Sequence, residues 1–491
     1  MSLRRRALRG ATWAVAGGNA SQVLSFVMFI AISRQVGPAA FGAVAIAIAI
    51  VEMCRPIASE AVVGNLVAGG RLDARLFNAG FFINMAAAIL LCAALVLATP
   101  LFAALFQTPA LSTVLPQISL LLIFYAASRV QEAYLTLELR FDSLAIRSVA
   151  AALIGGTVGI AAAYSGLGVT ALVLQQWAAA LVSLVLVWRA CAWRPRFAFS
   201  RQEGKTLLRS SAALAPAGLL AQLTMLTDAL AVASFSGPTA AGLYNLGKRT
   251  RLALQLGLAS ALDRVSLPTF ASVRSDKQQL ARTLGTALRL STLLAFPAFV
   301  GVAAVAPELI QLFLGPEWQS AAAPMALLLI AGAVSMTTHF FDNVLLILDR
   351  RRWIAMLRLG MLIILVALLA IFGAQGAIAV AACALAASLL HNLAAFHAVS
   401  RHAPVSAAVY GRTIIIPLAL SLAMLAVVML LRDAWPMDRW TPALRLPALI
   451  AIGGFFYLGA SWLIARRAVD EFASAARTVF APKPAETAPK E

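Results

Sequence analysis

Apolar runs of membrane-spanning length recur along this chain, in windows centred near residues 22, 54, 90, 126, 154, 180, 220, 253, 299, 334, 363, 386, 421 and 456. A helix needs about 20 apolar residues to cross a bilayer core, so the pattern predicts about fourteen spanning helices. The runs are too long and too uniformly apolar for the short alternating segments of a membrane barrel. The expected fold class is therefore an all-α polytopic membrane protein. No polar stretch is long enough for a separate soluble domain. The first run, Ala11 to Ser33, exceeds a secretory signal core and is followed by no small-residue cleavage site, so it reads as a retained first span.

Composition agrees with this reading, at 62% hydrophobic and 12% charged residues over 491 positions and a mean hydropathy of +0.88. The net charge of +19 would point to nucleic acid in a soluble protein, but its placement gives another explanation. With fourteen crossings and the N-terminus inside, 30 of the 39 Lys and Arg residues fall on inner ends and loops, among them Arg4, Arg140, Arg147, Arg350 and Lys483. The outer side holds only Arg34, Arg432, Arg439 and Arg445, beside Glu308 and Glu317. This asymmetry is the positive-inside rule and predicts both termini in the cytoplasm, with no nucleic-acid partner.

Five basic residues remain at membrane depth: Arg55, Arg129, Lys248, Arg249 and Arg251. A charge at the bilayer centre costs roughly 2.5 to 3.5 kcal/mol on insertion scales, so such residues face an aqueous cavity or a partner. Lys248, Arg249 and Arg251 cannot be a loop, because only Leu252 to Leu262 would then remain before Asp263, well short of a span. Lys248, Arg251 and Gln255 share a helix face by spacing. Asp228 and Lys248 lie at comparable depth on either side of an outer turn at Ser236 to Pro238, and they are expected to pair, either as a fixed bridge or as a bridge that opens to anion or proton. Glu52 and Arg55 repeat that logic beside Pro56, which should disturb the second helix. Glu60, and Arg129 with Glu132, read equally well as internal bridges. His339 and Asp342 share a face of the tenth helix and are candidates for a proton relay or gate.

The chain also carries a duplication. Gly37, Pro38 and Gly42 recur as Gly237, Pro238 and Gly242, an offset of 200 residues, with Arg9 and Gln22 matching Arg209 and Gln222. Further on, Pro100, Phe106 and Pro109 recur as Pro307, Phe313 and Pro316. Both copies start on one side, which predicts a parallel repeat of six helices (6+6), with two C-terminal helices left over. The expected division is 1–200 (helices 1–6), 201–402 (helices 7–12), 403–470 (helices 13–14) and a cytoplasmic, disordered tail over 471–491.

Several strings carry a family resemblance: LELRFDSLAIRSV (137–149), SGLGVTALVLQQ (165–176), WRPRFAFS (193–200), TDALAVASFSGPTAAGLYNLGKR (227–249) and APELIQLFLGPEW (306–318). In this order they resemble the polysaccharide exporters, of O-antigen and colanic-acid type, within the multidrug, oligosaccharidyl-lipid and polysaccharide transporter superfamily. The resemblance implies two six-helix lobes around a central cavity and a flippase for undecaprenyl-pyrophosphate-linked oligosaccharide in the bacterial inner membrane. It matches the family's seventh-span Asp to Asp228 and its following basic residue to Lys248 or Arg249. Arg55 and Arg129 rest on depth alone. Arginine suits such a cargo, since its fixed donors fit phosphate oxygens.

Two other functions compete. A drug or small-molecule antiporter coupled to an ion would favour a carboxylate-rich cavity, and here cations outnumber carboxylates. A membrane polysaccharide polymerase or glycosyltransferase would need long outer loops or an acidic catalytic cluster, and the predicted turns are short. Cys54, Cys92, Cys191 and Cys383 have no metal-ligand spacing and read as packing thiols. No phosphate-binding loop is present, so the chain is not expected to hydrolyse ATP itself; no enzyme activity, metal or cofactor is expected. Partners would be the lipid-linked oligosaccharide and membrane lipids, with a polysaccharide polymerase and chain-length machinery as further partners.

Overall fold

The computed structural model describes residues 3–464 and 466, apart from 71, 199, 405 and 435–439. The tail over 471–491, and the residues Arg71, Arg439 and Lys483, lie outside the described residues. Those described form helices and connecting turns with no strand among them, and thirteen helices are long and apolar enough to cross a membrane. The N-terminal half contains α1 (Leu3–Val36), α2 (Pro38–Ala68), α3 (Ala74–Leu97), α4 (Leu111–Leu137), α5 (Phe141–Tyr164) and α6 (Val169–Ala190).

The continuous helical stretch Arg201–Ser272 departs from helical geometry at Gly237 (φ 76°, ψ −177°). In a straight helix residues 228 and 248 would lie about 30 Å apart. Instead Lys248 Nζ stands 2.5 Å from Asp228 Oδ1. The stretch is thus two limbs folded back on each other, α7 (201–236) and α8 (238–272). The remainder comprises α9 (Lys277–Ala304), α10 (Ala322–Ile347), α11 (Arg351–Phe372), α12 (Ala377–Ser400), α13 (Ala407–Ala434) and α14 (Pro442–Ile464). Polar caps open the limbs where the chain re-enters the bundle. Ser200 and Glu203 form a reciprocal capping box on α7, while Asp73 and Asp276 cap α3 and α9, each worth about 1 kcal/mol.

The duplication is visible as packing. Gly37 has the same positive φ of 76° as Gly237, a region costly for any residue with a Cβ. Five residues on, a Cβ at Gly42 would sit 1.7 Å from the Pro238 carbonyl oxygen, and one at Gly242 would sit 2.0 Å from that of Pro38. The two Gly-Pro turns therefore cross backbone to backbone with reciprocal contacts, as two copies related by a two-fold axis require. Trp318 closes this end from the side, fully buried and donating from Nε1 to Ser33 O at 3.2 Å.

By the same repeat, the α2/α7 and α1/α8 seams are equivalent, yet they differ. Along α2/α7, Gln222 donates to the Glu52 carbonyl at 3.3 Å, Gly218 abuts Pro56, and Asn65 donates to Ser211 at 3.0 Å. Beside α1 and α8 lies an apolar cavity of about 360 Å³, lined by Phe26 and Ile30 of α1, Leu246 and Leu254 of α8, and Val302, Ile310 and Met325 from the segments that follow. The last two helices are pinned to the second half by Glu308, a buried carboxylate 2.9 Å from Arg432 and 3.3 Å from Arg445.

Candidate functional site: two charged centres

In the N-terminal half, Pro56 has no N–H to continue the α-helical ladder, and α2 widens there into a π-helical turn, Pro56–Glu60. The turn sets the Glu60 carboxylate 3.4 Å from both Arg55 and Arg129. Arg55 also grips Glu52 at 2.7 Å and lies over the Tyr125 ring, 5.2 Å from its centre. Arg129 reaches Glu132 at 3.1 Å, and the other oxygen of Glu132 accepts from Arg147 of α5. Three guanidinium groups thus meet three carboxylates, and the centre is formally neutral. Arg55, Tyr125, Arg129, Glu132, Arg147 and Ser183 line a cavity of about 240 Å³.

The second centre is built on α8. Asp228 and Lys248 are both buried and joined at 2.5 Å. The carboxylate also accepts from Tyr244 OH and from Ala229 N–H, each at 2.8 Å, and Lys248 donates a further hydrogen bond to Met225 O. Every partner lies on α7 or α8, so this is a satisfied bridge that fastens the two limbs. Arg249, the next residue, points about 100° away around the helix. Its guanidinium carbon lies 4.8 Å from the Phe29 ring centre and 5.2 Å from that of Phe41, both in the other half, and Nε donates to Asn245 at 3.1 Å. Arg251 lays its stem on α10, where a Cβ at Gly332 would be 2.7 Å from its Cγ. Among the described residues neither Arg249 nor Arg251 has a carboxylate within 4.0 Å, the limit taken for an ion pair. Lys248, Arg249 and Arg251 against Asp228 alone leave this centre with an excess of positive charge.

The five cations expected at membrane depth are therefore not equivalent. Arg55 is neutralised by Glu52 and Glu60 and Arg129 by Glu60 and Glu132 in the first centre, Lys248 is bridged to Asp228, and Arg249 and Arg251 carry the excess. His339 and Asp342 belong to neither centre. They sit on α10 at least two turns beyond Gly332, with His339 Nε2 3.4 Å from Asn343 Nδ2 and Asp342 3.8 Å from Arg358 of α11. Arg147, expected on an inner end or loop, lies in the second turn of α5, which begins at Phe141. Tyr244, Phe29 and Phe41 carry no sequence signal for their part, since an aromatic residue in an apolar span reads as packing. The four cysteines are free, and three of them are buried.

A helical bundle with two reciprocally crossing Gly-Pro turns and two charged centres among apolar helices of spanning length defines a polytopic membrane protein. The model of a family described as polysaccharide biosynthesis protein matches residues 31–323. The chain belongs to this family. It is 25% identical over 327 residues to the succinoglycan biosynthesis transport protein ExoT of Rhizobium meliloti (strain 1021), a match covering 66% of each chain and so just under two thirds of that relative. With the lipopolysaccharide biosynthesis protein WzxC of Escherichia coli (strain K12) it shares 22% over 334 residues, 68% of each chain. Its fold matches that of the lipid II flippase MurJ in an inward closed conformation, with a TM-score of 0.78 at 14% identity over 93% of this chain and 99% of that one. A multidrug resistance MATE family transporter in an inward-facing conformation matches at a TM-score of 0.59, 13% identity, and 77% and 95% coverage.

Proposed function

We propose that this protein is a flippase that moves undecaprenyl-pyrophosphate-linked oligosaccharide, the repeat unit of a surface polysaccharide, across the bacterial inner membrane. The observation that carries this reading is the uncompensated positive charge of Arg249 and Arg251. Arg249 lies 12 residues from the Gly237 turn, about 18 Å along the helix, near the middle of a hydrocarbon core about 30 Å thick. A lipid diphosphate brings the opposite charge, and the fork of a guanidinium matches its oxygens. The names of the polysaccharide-transport relatives support the same cargo class. In this reading the lobes 1–200 and 201–402 rock about the Gly-Pro crossing to expose the site to each side in turn, and α13 and α14 travel with the second lobe.

The test is depletion of the protein followed by mass spectrometry of extracted undecaprenyl-linked sugars. Accumulation of one complete repeat unit on the inner leaflet, with loss of surface polysaccharide, is the expected result and identifies the glycan. Intact polysaccharide with no accumulation would sink the proposal in favour of ion-coupled export of small molecules.

A further inference from the structure

Arg249 lays its guanidinium against two aromatic rings of the opposite half, an unusual position for a substrate-binding cation. Phe29 and Phe41 receive the guanidinium at 4.8 and 5.2 Å and pack on each other with ring centres 4.7 Å apart. Both rings are buried. Phe41 immediately precedes Gly42, whose backbone crosses Pro238, and its ring meets Trp318 edge-on at 5.9 Å. Trp318 in turn bonds to Ser33 at the end of α1. The cation is thus the inner end of a continuous packed path that leads to the crossing of the two Gly-Pro turns.

We propose that Arg249 is a cargo-released latch: its contact with Phe29 and Phe41 holds the two halves together at the Gly-Pro end, and a lipid diphosphate unlocks that end by drawing the guanidinium off the rings. The trigger, though not the latch, rests on the cargo class proposed above. The chemistry favours this exchange. An aromatic face offers a cation only quadrupole attraction, whereas a diphosphate offers full negative charge and oriented acceptors, so the phosphate wins the competition. A ligand shifts an equilibrium only through its differential affinity for the two states. Here the closed state retains the ring contact and the open state gives it up, which supplies the difference. Lys248 cannot play this part, because Asp228, Tyr244 and Met225 confine its bridge to α7 and α8.

Spin labels on Ala39→Cys and Thr239→Cys, two exposed and repeat-related positions beside the crossing, report separation of the turns in nanodiscs by pulsed electron resonance. Undecaprenyl pyrophosphate is expected to lengthen the interlabel distance in the otherwise unaltered protein, and uncharged undecaprenol is expected to leave it unchanged. Phe29→Leu and Phe41→Leu, made separately, should each raise the long-distance population without ligand, and Arg249→Gln should do the same and abolish the response. A resting distribution unchanged in all three variants would overturn the latch, and so would a full ligand response in Arg249→Gln. Native mass spectrometry of the same samples separates the two readings. Absence of bound undecaprenyl pyrophosphate would refute the cargo class and the trigger, while the ligand-free shift in the Phe variants still decides the latch.

Discussion

The two halves of this protein share a scaffold, and they differ in how they treat charge. In the N-terminal half, Arg55, Arg129 and Arg147 are matched by Glu52, Glu60 and Glu132 drawn from α2 and α4. In the C-terminal half, a single carboxylate, Asp228, faces three cations of α8 and binds only one of them. Duplication preserved the Gly-Pro turn, where backbone geometry tolerates little else, and left the intramembrane charges free to diverge. One half holds a neutral polar network. The other holds an excess of positive charge.

This contrast makes the sharpest difference at Lys248. Lys248→Met leaves Asp228 buried without its cation, and stability should fall by about 3 to 5 kcal/mol; Asp228→Asn in the same chain should recover most of that in a thermal or denaturant melt. Failure of the second change to rescue would mean that the bridge does more than fasten α7 to α8. Arg251→Gln sits next in order. Export measured by surface polysaccharide should drop at least about tenfold, while stability changes by less than about 1 kcal/mol, since no ion pair is broken. Large destabilisation instead would place Arg251 among the structural charges and weaken the contrast.

The neutral centre can be tested by converting it. Removing the charge of Glu60 with Glu60→Gln leaves the centre with one positive charge in excess, and binding of inorganic pyrophosphate by the purified protein should strengthen by about 1 kcal/mol, a several-fold change in Kd at low salt. Unaltered binding would show that the first centre does not face the cargo path. The smallest effect is expected at Asp342→Asn. Its partner Arg358 is 3.8 Å away and about half exposed, and such pairs contribute about 0 to 1 kcal/mol. A loss of export in that variant with the melt unchanged would recruit α10 to the mechanism.

Much of this organisation was legible in the sequence. Uniform apolar runs of spanning length dictate helices, since only internally bonded backbone survives in lipid. Gly37-Pro38 and Gly237-Pro238 marked the repeat and both turns. Depth along an apolar span singled out Arg55, Arg129, Lys248, Arg249 and Arg251, and the near-equal distances of Asp228 and Lys248 from the Gly237 turn predicted their bridge. These are local properties, set by composition, periodicity and distance along one helix or one hairpin.

What the sequence could not supply is the sum of charge at each centre, because electrostatic neutrality is a matter of distance in space. Glu60 reaches Arg129 across 69 positions of chain only because the π-helical turn after Pro56 swings it there. Arg147 finds Glu132 on the preceding helix. Lys248 and Arg249 are neighbours in sequence, yet helical rotation sends one to a carboxylate within its own hairpin and the other to the rings of Phe29 and Phe41 in the opposite half. Sequence alone determined that this chain would fold as a duplicated helical bundle with cations at membrane depth, because lipid enforces the one and the insertion cost exposes the other. Only the tertiary structure decided which of those cations are paired with carboxylates and which are not, because that choice depends on the groups that packing brings within a few ångströms.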